Sequence, residues 1–293
     1  MEDLLRPIYQ ERTSDPNTLS VLIIEKTKPN SPITDNFDII LLIVVTKADQ
    51  EWIVKHYEFG EKTAAMHIVS EDLLMKWIEK REYRKAIALV IYGKVIFDRN
   101  GYIGEVKSRL SDFPHDQRNL RKAIEFAKLV KSYNEVKDLY ESSQYKDAHS
   151  RMVHSLHYLA RLAVIEKGYY PEVTLWNQVK HIDPEVYKLY DELIQSNEKI
   201  EKRVQLMIIA ADFAISTRAE VSAKHLIDIM KTKEGSWSYG ELKDHQDLVP
   251  YVLDLTAVIS YLVEKNIIHT ERIETKGAGI YQRKYTTNSL VAK

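Results

Sequence analysis

The chain has 293 residues, of which 44% are hydrophobic and 29% charged, and it contains no cysteine. Its length exceeds that of one core of ordinary size, so we expect two or three domains. The 42 basic and 43 acidic side chains nearly cancel, which argues against a protein whose whole surface binds nucleic acid or membrane. Without cysteine the chain has no disulfides, thiolate catalysis or cysteine zinc sites.

We expect neither a signal peptide nor a membrane-spanning helix in this sequence. Residues 1–15 are charged from the second residue on and lack the apolar run of a signal peptide. No later segment approaches 18 uninterrupted apolar residues, the length that a membrane-spanning helix needs. We therefore expect a cytoplasmic protein without a membrane partner.

The first third of the chain alternates strand-like and helix-like runs. Residues 19–25 (LSVLIIE) and 37–45 (FDIILLIVV) are aliphatic, β-branched runs that predict buried strands, and residues 63–69 predict a weaker third strand. A helix is predicted over residues 70–83, with Ser70 as its N-cap and an apolar face.

Residues 85–101 (KAIALVIYGKVIFDRNG) close this part of the chain. They predict two short strands that break at Gly93 and stop at the turn formers Asn100 and Gly101. With the preceding runs they predict a small α/β layer.

The middle third has the 3.6-residue periodicity of long helices. Residues 119–145 and 145–168 predict two of them, with Gly168 as a C-cap. Residues 183–220 open with an Asp-Pro pair, a common N-cap and first helical position, and predict one or two more. We expect an all-helical bundle here.

The last 75 residues predict two helices followed by a hairpin. The helices cover residues 219–232 and the region near 252–268, and two strand-like runs flank Lys276-Gly277-Ala278-Gly279. This order is typical of a winged helix. The predicted domains are therefore an α/β domain at 1–117, a helical bundle at 118–218 and a winged-helix-like domain at 219–293.

The order of the runs in residues 15–110 resembles the nucleotidyltransferase superfamily, the fold of DNA polymerase beta and of kanamycin-type nucleotidyltransferases. The segment GKVIFDRNG looks like the one that closes this domain in small bacterial members. The resemblance implies an α+β multidomain protein with a nucleotidyltransferase-like mixed β-sheet and helices, then an all-α bundle, then a winged helix-turn-helix-like domain.

The family's motif is a Gly-Ser after the first strand, an Asp-x-Asp at the start of the second and a further Asp on a later strand. At the matching positions this chain has Glu25-Lys26, Asn36-Phe37-Asp38 and His67. A second register, in which Asp38 is the first Asp and Ile40 the second, leaves one carboxylate as well. Two-metal nucleotidyl transfer needs clustered carboxylates, so Asp38 is a remnant of that motif in either register.

Each substitution changes the chemistry of this nucleotide and metal pocket. Glu25 repels a triphosphate, Asn36 brings no charge, and His67 is a poor ligand for Mg²⁺, which prefers oxygen. The structural interpretations are that Asp38 caps local backbone at a strand start and that His67 is a hydrogen-bonded histidine at a strand edge.

The helical region resembles the domain that follows the catalytic layer in several nucleotidyltransferases and closes over nucleotide or acceptor. His154, His157 and Arg161 lie three and four residues apart, so they share a helix face. They are candidates for lining a pocket, with ordinary hydrogen bonding on or between helices as the alternative.

Four basic residues surround the predicted wing: Arg272, Lys276, Arg283 and Lys284. Cations at a wing tip can contact nucleic-acid phosphates. The helix before the wing has almost none of the Arg, Asn and Gln side chains that read base edges. Winged helices also dock proteins, so both partners stay open.

Three hypotheses follow. The chain is an active, divergent nucleotidyltransferase that uses Asp38, Mg²⁺ and a nucleoside triphosphate. Alternatively, it is a non-catalytic protein whose pocket binds a nucleotide or small molecule while the winged helix docks DNA or protein. The third hypothesis is a structural homodimer without either activity. The isolation of Asp38 favours the second.

Overall fold

The computed structural model describes residues 2–27, 31, 33–80, 84–111, 115–277 and 279–287. Residues 81–83, at the end of a predicted helix, and Ala278 of the predicted hairpin lie outside this set. The chain divides into two compact units. The first contains Met1–Phe113 and Glu172–Thr174, and the second contains Pro114–Pro171 and Leu175–Lys293. The division into three domains stays a prediction.

The first unit is built on one five-stranded sheet with the strand order β3-β4-β2-β1-β5. Strands β2 and β4 run parallel, and the other neighbouring pairs are antiparallel. The strands are β1 (Thr18–Glu25), β2 (Ile39–Val45), β3 (Trp52–Phe59), β4 (Lys62–Ser70) and β5 (Lys94–Asp98). The helices are α1 (Glu2–Ser14), α2 (Glu71–Lys80), α3 (Arg84–Tyr92) and α4 (Tyr102–Ser111).

Every residue of β2 is buried, because helices cover both faces of the sheet. Helix α1 packs on one face, where Leu5 and Tyr9 join the alternate residues of the strands. Helix α2 packs on β2 and β4, and α3 and α4 pack on β1. The continuous aliphatic run of β2 is the pattern expected for a strand buried on both sides.

One strand prediction is wrong. Residues 85–92, predicted as a strand, lie in helix α3 (Arg84–Tyr92), while Lys94–Asp98 does form a strand. A short apolar run has no polar face, so its periodicity does not distinguish a buried helix from a strand. The chain turns at Gly93, where an added Cβ would lie 2.4 Å from the Leu89 carbonyl oxygen. Helices α1 and α4 and strand β3 were not predicted.

The second unit begins with a bundle of five helices. They are α5 (His115–Glu141), α6 (Tyr145–Glu166), α7 (Leu175–Ile182), α8 (Pro184–Gln195) and α9 (Ile200–Ser216). The Asp183 carboxylate accepts a hydrogen bond from the Val186 amide at 3.2 Å, so the predicted N-cap is confirmed. Gly168 follows α6 with a φ of +85°, the conformation that favours glycine after a helix.

A winged helix follows, and it shares one hydrophobic core with the bundle. In this core Phe126 of α5 meets Tyr261 edge to face, with ring centroids 6.0 Å apart. The elements are α10 (Ala219–Ser222), α11 (Lys224–Met230), β6 (Trp237–Ser238), α12 (Tyr239–Lys243), a 3₁₀ segment (Gln246–Asp254), α13 (Leu255–Glu264), β7 (His269–Glu274) and β8 (Tyr281–Thr286). The predicted hairpin and the mixed α+β class are confirmed.

Among the described residues, Gln246–Glu264 is long and apolar enough to cross a membrane by length and composition alone. The segment contains Pro250 and a non-helical residue, Tyr251, inside its 3₁₀ part. Several of its large apolar side chains, Leu255 and Leu262 among them, are buried in the shared core, while Val249 and Leu253 are exposed. Core helices of soluble proteins commonly meet this criterion, so it is weak evidence for a membrane span.

A buried ion pair joins α5 to α6. The Arg161 guanidinium donates two hydrogen bonds to the Glu125 carboxylate, one of them from Nε to Oε2 at 2.8 Å. Only 9% of the Arg161 side chain and 4% of the Glu125 side chain are exposed. Removing one partner leaves the other charge buried and uncompensated, which costs far more than removing both.

We predict that Glu125→Ala lowers the free energy of unfolding by about 3–5 kcal/mol, because Arg161 keeps its charge in the core. The double variant Glu125→Leu/Arg161→Met should recover most of that loss. Denaturant unfolding followed by circular dichroism measures both effects.

The same two helices offer a matched control. Glu135 of α5 and Arg151 of α6 pair at 3.0 Å with 38% and 46% of their side chains exposed, and an exposed pair contributes only about 0–1 kcal/mol. Equal losses for Glu125→Ala and Glu135→Ala would show that burial of the Arg161 charge is unimportant.

Candidate functional site

Asp38 lies just before β2 and connects the start of this strand to the start of β4 and to the end of β1. Its amide donates to the Thr63 carbonyl at 3.1 Å, and its own carbonyl accepts from the Lys26 amide at 2.8 Å. Its carboxylate Oδ2 accepts from the Thr63 amide at 2.8 Å and from the Thr63 hydroxyl at 3.2 Å. The side chain therefore caps backbone, as one interpretation predicted, but the backbone belongs to a neighbouring strand.

These contacts hold Asp38 ionised. The hydrogen bond from the Thr63 amide lowers the pKa of the carboxyl below its ordinary value, and the Thr63 hydroxyl and the charges of Lys26 and Lys62 act in the same direction. Partial burial opposes them. A carboxylate stabilised in this way is a strong acceptor that is already engaged by its own protein.

The neighbouring motif positions hold a loop together. The Asn36 side-chain oxygen accepts from the Ser31 amide at 3.1 Å, and the Asn36 carbonyl accepts from the Lys26 ammonium at 3.1 Å. Asn36 has a φ of +67°, in the left-handed region that asparagine tolerates. Glu25 is the exposed last residue of β1. No described hydrogen bond joins the side chain of Glu25, Lys26 or Asn36 to the Asp38 carboxylate.

His67 is buried on β4, with 7% of its surface exposed. Its Nδ1 accepts a hydrogen bond from the Trp52 indole at 3.2 Å, and the two rings stack. Burial lowers the pKa of His67, so its ring is neutral near neutral pH. The interpretation as a hydrogen-bonded histidine agrees with this geometry, but β4 is an interior strand of the sheet, not an edge.

His67 also lies far from Asp38 along the sheet. Asp38 bonds to Thr63, and His67 pairs with Leu42 four positions further along the parallel strands. At about 3.3 Å per residue this separates the two positions by about 13 Å. The two motif positions therefore do not converge on one ion.

The donor set does not fit the metal pair of a nucleotidyltransferase. Such a pair needs several oxygen ligands, mostly carboxylates, around two cations. Within the described ranges no group of three or more His, Asp or Glu side chains could hold a metal ion. Asp38, the carboxylate that matches the family's Asp-x-Asp motif, accepts a hydrogen bond from the Thr63 amide.

A cavity of about 470 Å³ lies in the first unit beside the Glu25 end of β1. This volume is within the range of small-molecule sites. Its walls are largely aliphatic, with three charged side chains among them. The lining residues are Ile23, Ile24, Glu25, Thr27, Ser31, Ile33, Ala88, Tyr92, Lys94 and Glu172–Thr174.

Tyr92 and Glu172 set the polarity of one wall of this cavity. The Tyr92 hydroxyl hydrogen-bonds to the Glu172 carboxylate, and burial together with that bond raises the pKa of the tyrosine. Tyr92 therefore stays protonated and donates. Neither residue was a candidate from the sequence, because Tyr92 was placed on a strand and Glu172 is 80 positions away along the chain.

The three candidates of the helical bundle occupy different environments. His154 is exposed, while His157 is half-buried with its ring edge-on to Trp176 at 6.3 Å. Arg161 is bound in the ion pair with Glu125. The shared helix face predicted from their spacing does not bring them to one polar site.

The wing presents two arginines side by side. Arg272 of β7 and Arg283 of β8 are direct cross-strand partners and both are exposed. Like charges in that position destabilise a hairpin, so an anion bound there would relieve the repulsion. Lys284 is half-buried opposite Glu271, and Lys276 is exposed in the connecting loop.

The helix before the wing is poorly equipped to read bases. On α13 the exposed positions are Thr256, Ser260 and Glu264, and the preceding Leu253 is 90% exposed. None of them is an Arg, Asn or Gln, the side chains that make bidentate contacts with base edges.

Comparison with known proteins agrees with this architecture. Residues 1–118 match the model of the nucleotidyltransferase-like family, residues 119–218 that of the YgxA-like substrate binding domain, and residues 224–287 that of a helix-turn-helix domain. The resemblance to the nucleotidyltransferase superfamily is thereby confirmed.

Two relatives match the chain over nearly its whole length. The protein YgxA of Bacillus subtilis (strain 168) is 46% identical over 286 residues, which cover 98% of this chain and 97% of YgxA. A nucleotidyltransferase-like protein from Exiguobacterium sibiricum 255-15, known from a crystal structure at 1.90 Å resolution, is 34% identical. It superposes with a TM-score of 0.71, over 98% of this chain and 99% of that one. The chain therefore belongs to the family of YgxA, and it joins a nucleotidyltransferase-like domain to a YgxA-like substrate binding domain and a helix-turn-helix domain.

Proposed function

We propose that this protein is a non-catalytic member of the nucleotidyltransferase-like group that binds a small molecule and docks an anionic partner through its wing. The observation on which the proposal rests is the engagement of the Asp38 carboxylate by the Thr63 amide and hydroxyl. The proposal is supported by the residues at the other motif positions, which are an exposed Glu25, a loop-forming Asn36 and a buried, neutral His67.

Electrostatics argues against a nucleoside triphosphate as the ligand. The family's Gly-Ser lets backbone amides approach the phosphates, whereas Glu25 places a carboxylate there. Glu172 adds a second carboxylate to the same cavity. With aliphatic walls and two acidic side chains against one basic side chain, Lys94, the cavity suits a neutral or cationic small molecule better than a polyanion.

The wing supports docking without sequence reading. Arg272 and Arg283 supply a concentrated positive charge, while the exposed positions of α13 offer hydroxyl, apolar and acidic groups. Phosphate contacts hold a nucleic acid but carry no sequence information by themselves. We therefore infer that any DNA binding is weak, salt-sensitive and independent of sequence.

We predict that the protein binds nucleoside triphosphates more weakly than about 1 mM in calorimetry with Mg²⁺ or Mn²⁺, and that labelled triphosphates are not turned over. Glu25→Gln removes the repelling charge and should raise the affinity measurably without producing turnover. Metal-dependent turnover by the wild type that Asp38→Asn abolishes, at a temperature where circular dichroism shows the variant still folded, would overturn the proposal and favour an active enzyme.

The role of Asp38 predicts a pH dependence of stability. Because its pKa is lowered in the folded state, its carboxylate stabilises the fold above its ordinary pKa of about 4, and this contribution is lost as the pH falls further. The melting temperature of Asp38→Asn should therefore lie below that of the wild type at about pH 7, with the gap narrowing as the pH falls below the ordinary pKa of the carboxyl.

Glu61→Gln is the matched control, since it removes an exposed carboxylate from the neighbouring turn between β3 and β4. Its melting temperature should follow that of the wild type throughout. A gap for Asp38→Asn that is independent of pH would contradict the proposed role of the charge.

Low-salt electrophoretic retention of short duplex DNA tests the wing. We expect weak retention that does not depend on sequence, and we expect Arg272→Ala and Arg283→Ala each to reduce the slope of log affinity against log salt by about 1. Lys243→Ala, at an exposed position of α12, is the control. Absence of retention by the wild type would rule out DNA as the partner of the wing and leave an acidic protein.

A further inference from the structure

Helix α9 has a row of exposed apolar side chains that no described element covers. Leu206 is 49% exposed, Ile209 67% and Phe213 73%. Their spacing of three and four residues aligns them on one face of the helix. Single exposed apolar residues are ordinary, whereas a contiguous exposed apolar patch marks an interaction surface.

A groove runs beside this row between α8 and α9. It contains two cavities, of about 390 Å³ and 220 Å³, and both are lined by Glu185, Leu189 and Ala210. The larger cavity extends toward Leu206 and Met207, at the amino-terminal half of α9. The smaller one extends toward Phe213 and Ala214, at its carboxyl-terminal half.

The row and the groove together form a self-complementary surface, in which the row of one copy faces the groove of another. The centre of the row lies at Ile209 and Ala210, with Phe213 and Leu206 at equal distances on either side. Rotation by 180° about an axis through that centre brings Phe213 of one copy to the level of Leu206 of the other. The protruding Phe213 then meets the larger cavity, and Leu206 meets the smaller one. A two-fold interface requires this reciprocity, in which residue i contacts j and j contacts i.

We propose that this surface binds a second copy of the same chain, with the two α9 helices antiparallel. The charges at the helix ends favour that orientation. Lys199 and Lys202 are exposed at the amino-terminal end, as are Glu198 and Glu201, and Glu220 is exposed just beyond the carboxyl-terminal end. Of the four amino-terminal charges, the two lysines continue the spacing of the row at positions 199, 202, 206, 209 and 213. In the antiparallel arrangement each lysine pair lies near the Glu220 of the second copy, and the helix dipoles oppose one another favourably.

The proposal is independent of ligand binding and of the wing. Helix α9 has 17 residues and is thus about 25 Å long, which limits the contact area to that of a modest interface. We therefore expect a dimer that dissociates at low micromolar concentration rather than an obligate one.

Charge substitutions at Ile209 test the dimer, because this residue lies beside the axis and meets its own counterpart. In sedimentation velocity, Ile209→Lys and Ile209→Glu should each weaken self-association at least about 10-fold, since like charges face one another. Mixing the two variants should restore association, because a lysine then faces a glutamate. Restoration by mixing is not expected if the substitutions merely disturb the fold.

Val249→Lys is the matched control, since Val249 is 62% exposed in the same unit but lies in the 3₁₀ segment. It should leave self-association unchanged. Three outcomes would overturn the proposal: a wild type that stays monomeric at high micromolar concentration, a mixture of the Ile209 variants that stays monomeric, or an equal effect of Val249→Lys. The first would indicate that another protein or another part of the chain covers the row.

Discussion

The contact between the Asp38 carboxylate and Thr63 is the interaction on which the first unit depends. It fastens the start of β2 to the start of β4, and the Lys26 amide fastens the end of β1 to the same residue. Parallel strands are not joined by a tight turn that would set their register. Here the hydrogen bond between the Asp38 carboxylate and Thr63, at the common end of β2 and β4, sets that register. Carboxylate oxygen Oδ2 of Asp38, which a metal-dependent enzyme would offer to a cation, accepts hydrogen bonds from the Thr63 amide and hydroxyl instead.

Two other positions of the family motif are also occupied by side chains that bond to the protein itself. Asn36 closes a loop through Ser31, and His67 completes a buried contact with Trp52. Both side chains therefore make their contacts within the protein itself. Fold similarity alone does not establish activity.

The second unit is constrained by one hydrophobic core that the bundle and the winged helix share. Helix α5 contributes Phe126 to the contact with Tyr261 of the winged helix and Glu125 to the ion pair with α6. Adjacent residues of one helix thus bind the bundle on one side and the winged helix on the other. Because such cores are densely packed and resist deformation, the bundle and the winged helix should respond together to a change in either.

Several features follow from the sequence itself. The buried strands β1 and β2, the N-cap at Asp183, the hairpin and the family resemblance were all predicted, because periodicity, capping and turn chemistry are local. The isolation of Asp38 was predicted as well, since it is a statement about residue types. Helix α3 was predicted as a strand, because a short run that is apolar throughout has no period to distinguish a helix from a strand.

Tertiary structure alone decided the rest. Only the register of β2 against β4 places Thr63 on the Asp38 carboxylate and His67 about 13 Å away. The contact of Tyr92 with Glu172 and the pairing of Arg161 with Glu125 join residues distant along the chain. The exposure of Leu206, Ile209 and Phe213 is likewise set by what packs around α9. Contacts between distant residues depend on the packing of whole elements, which no local pattern in the sequence records.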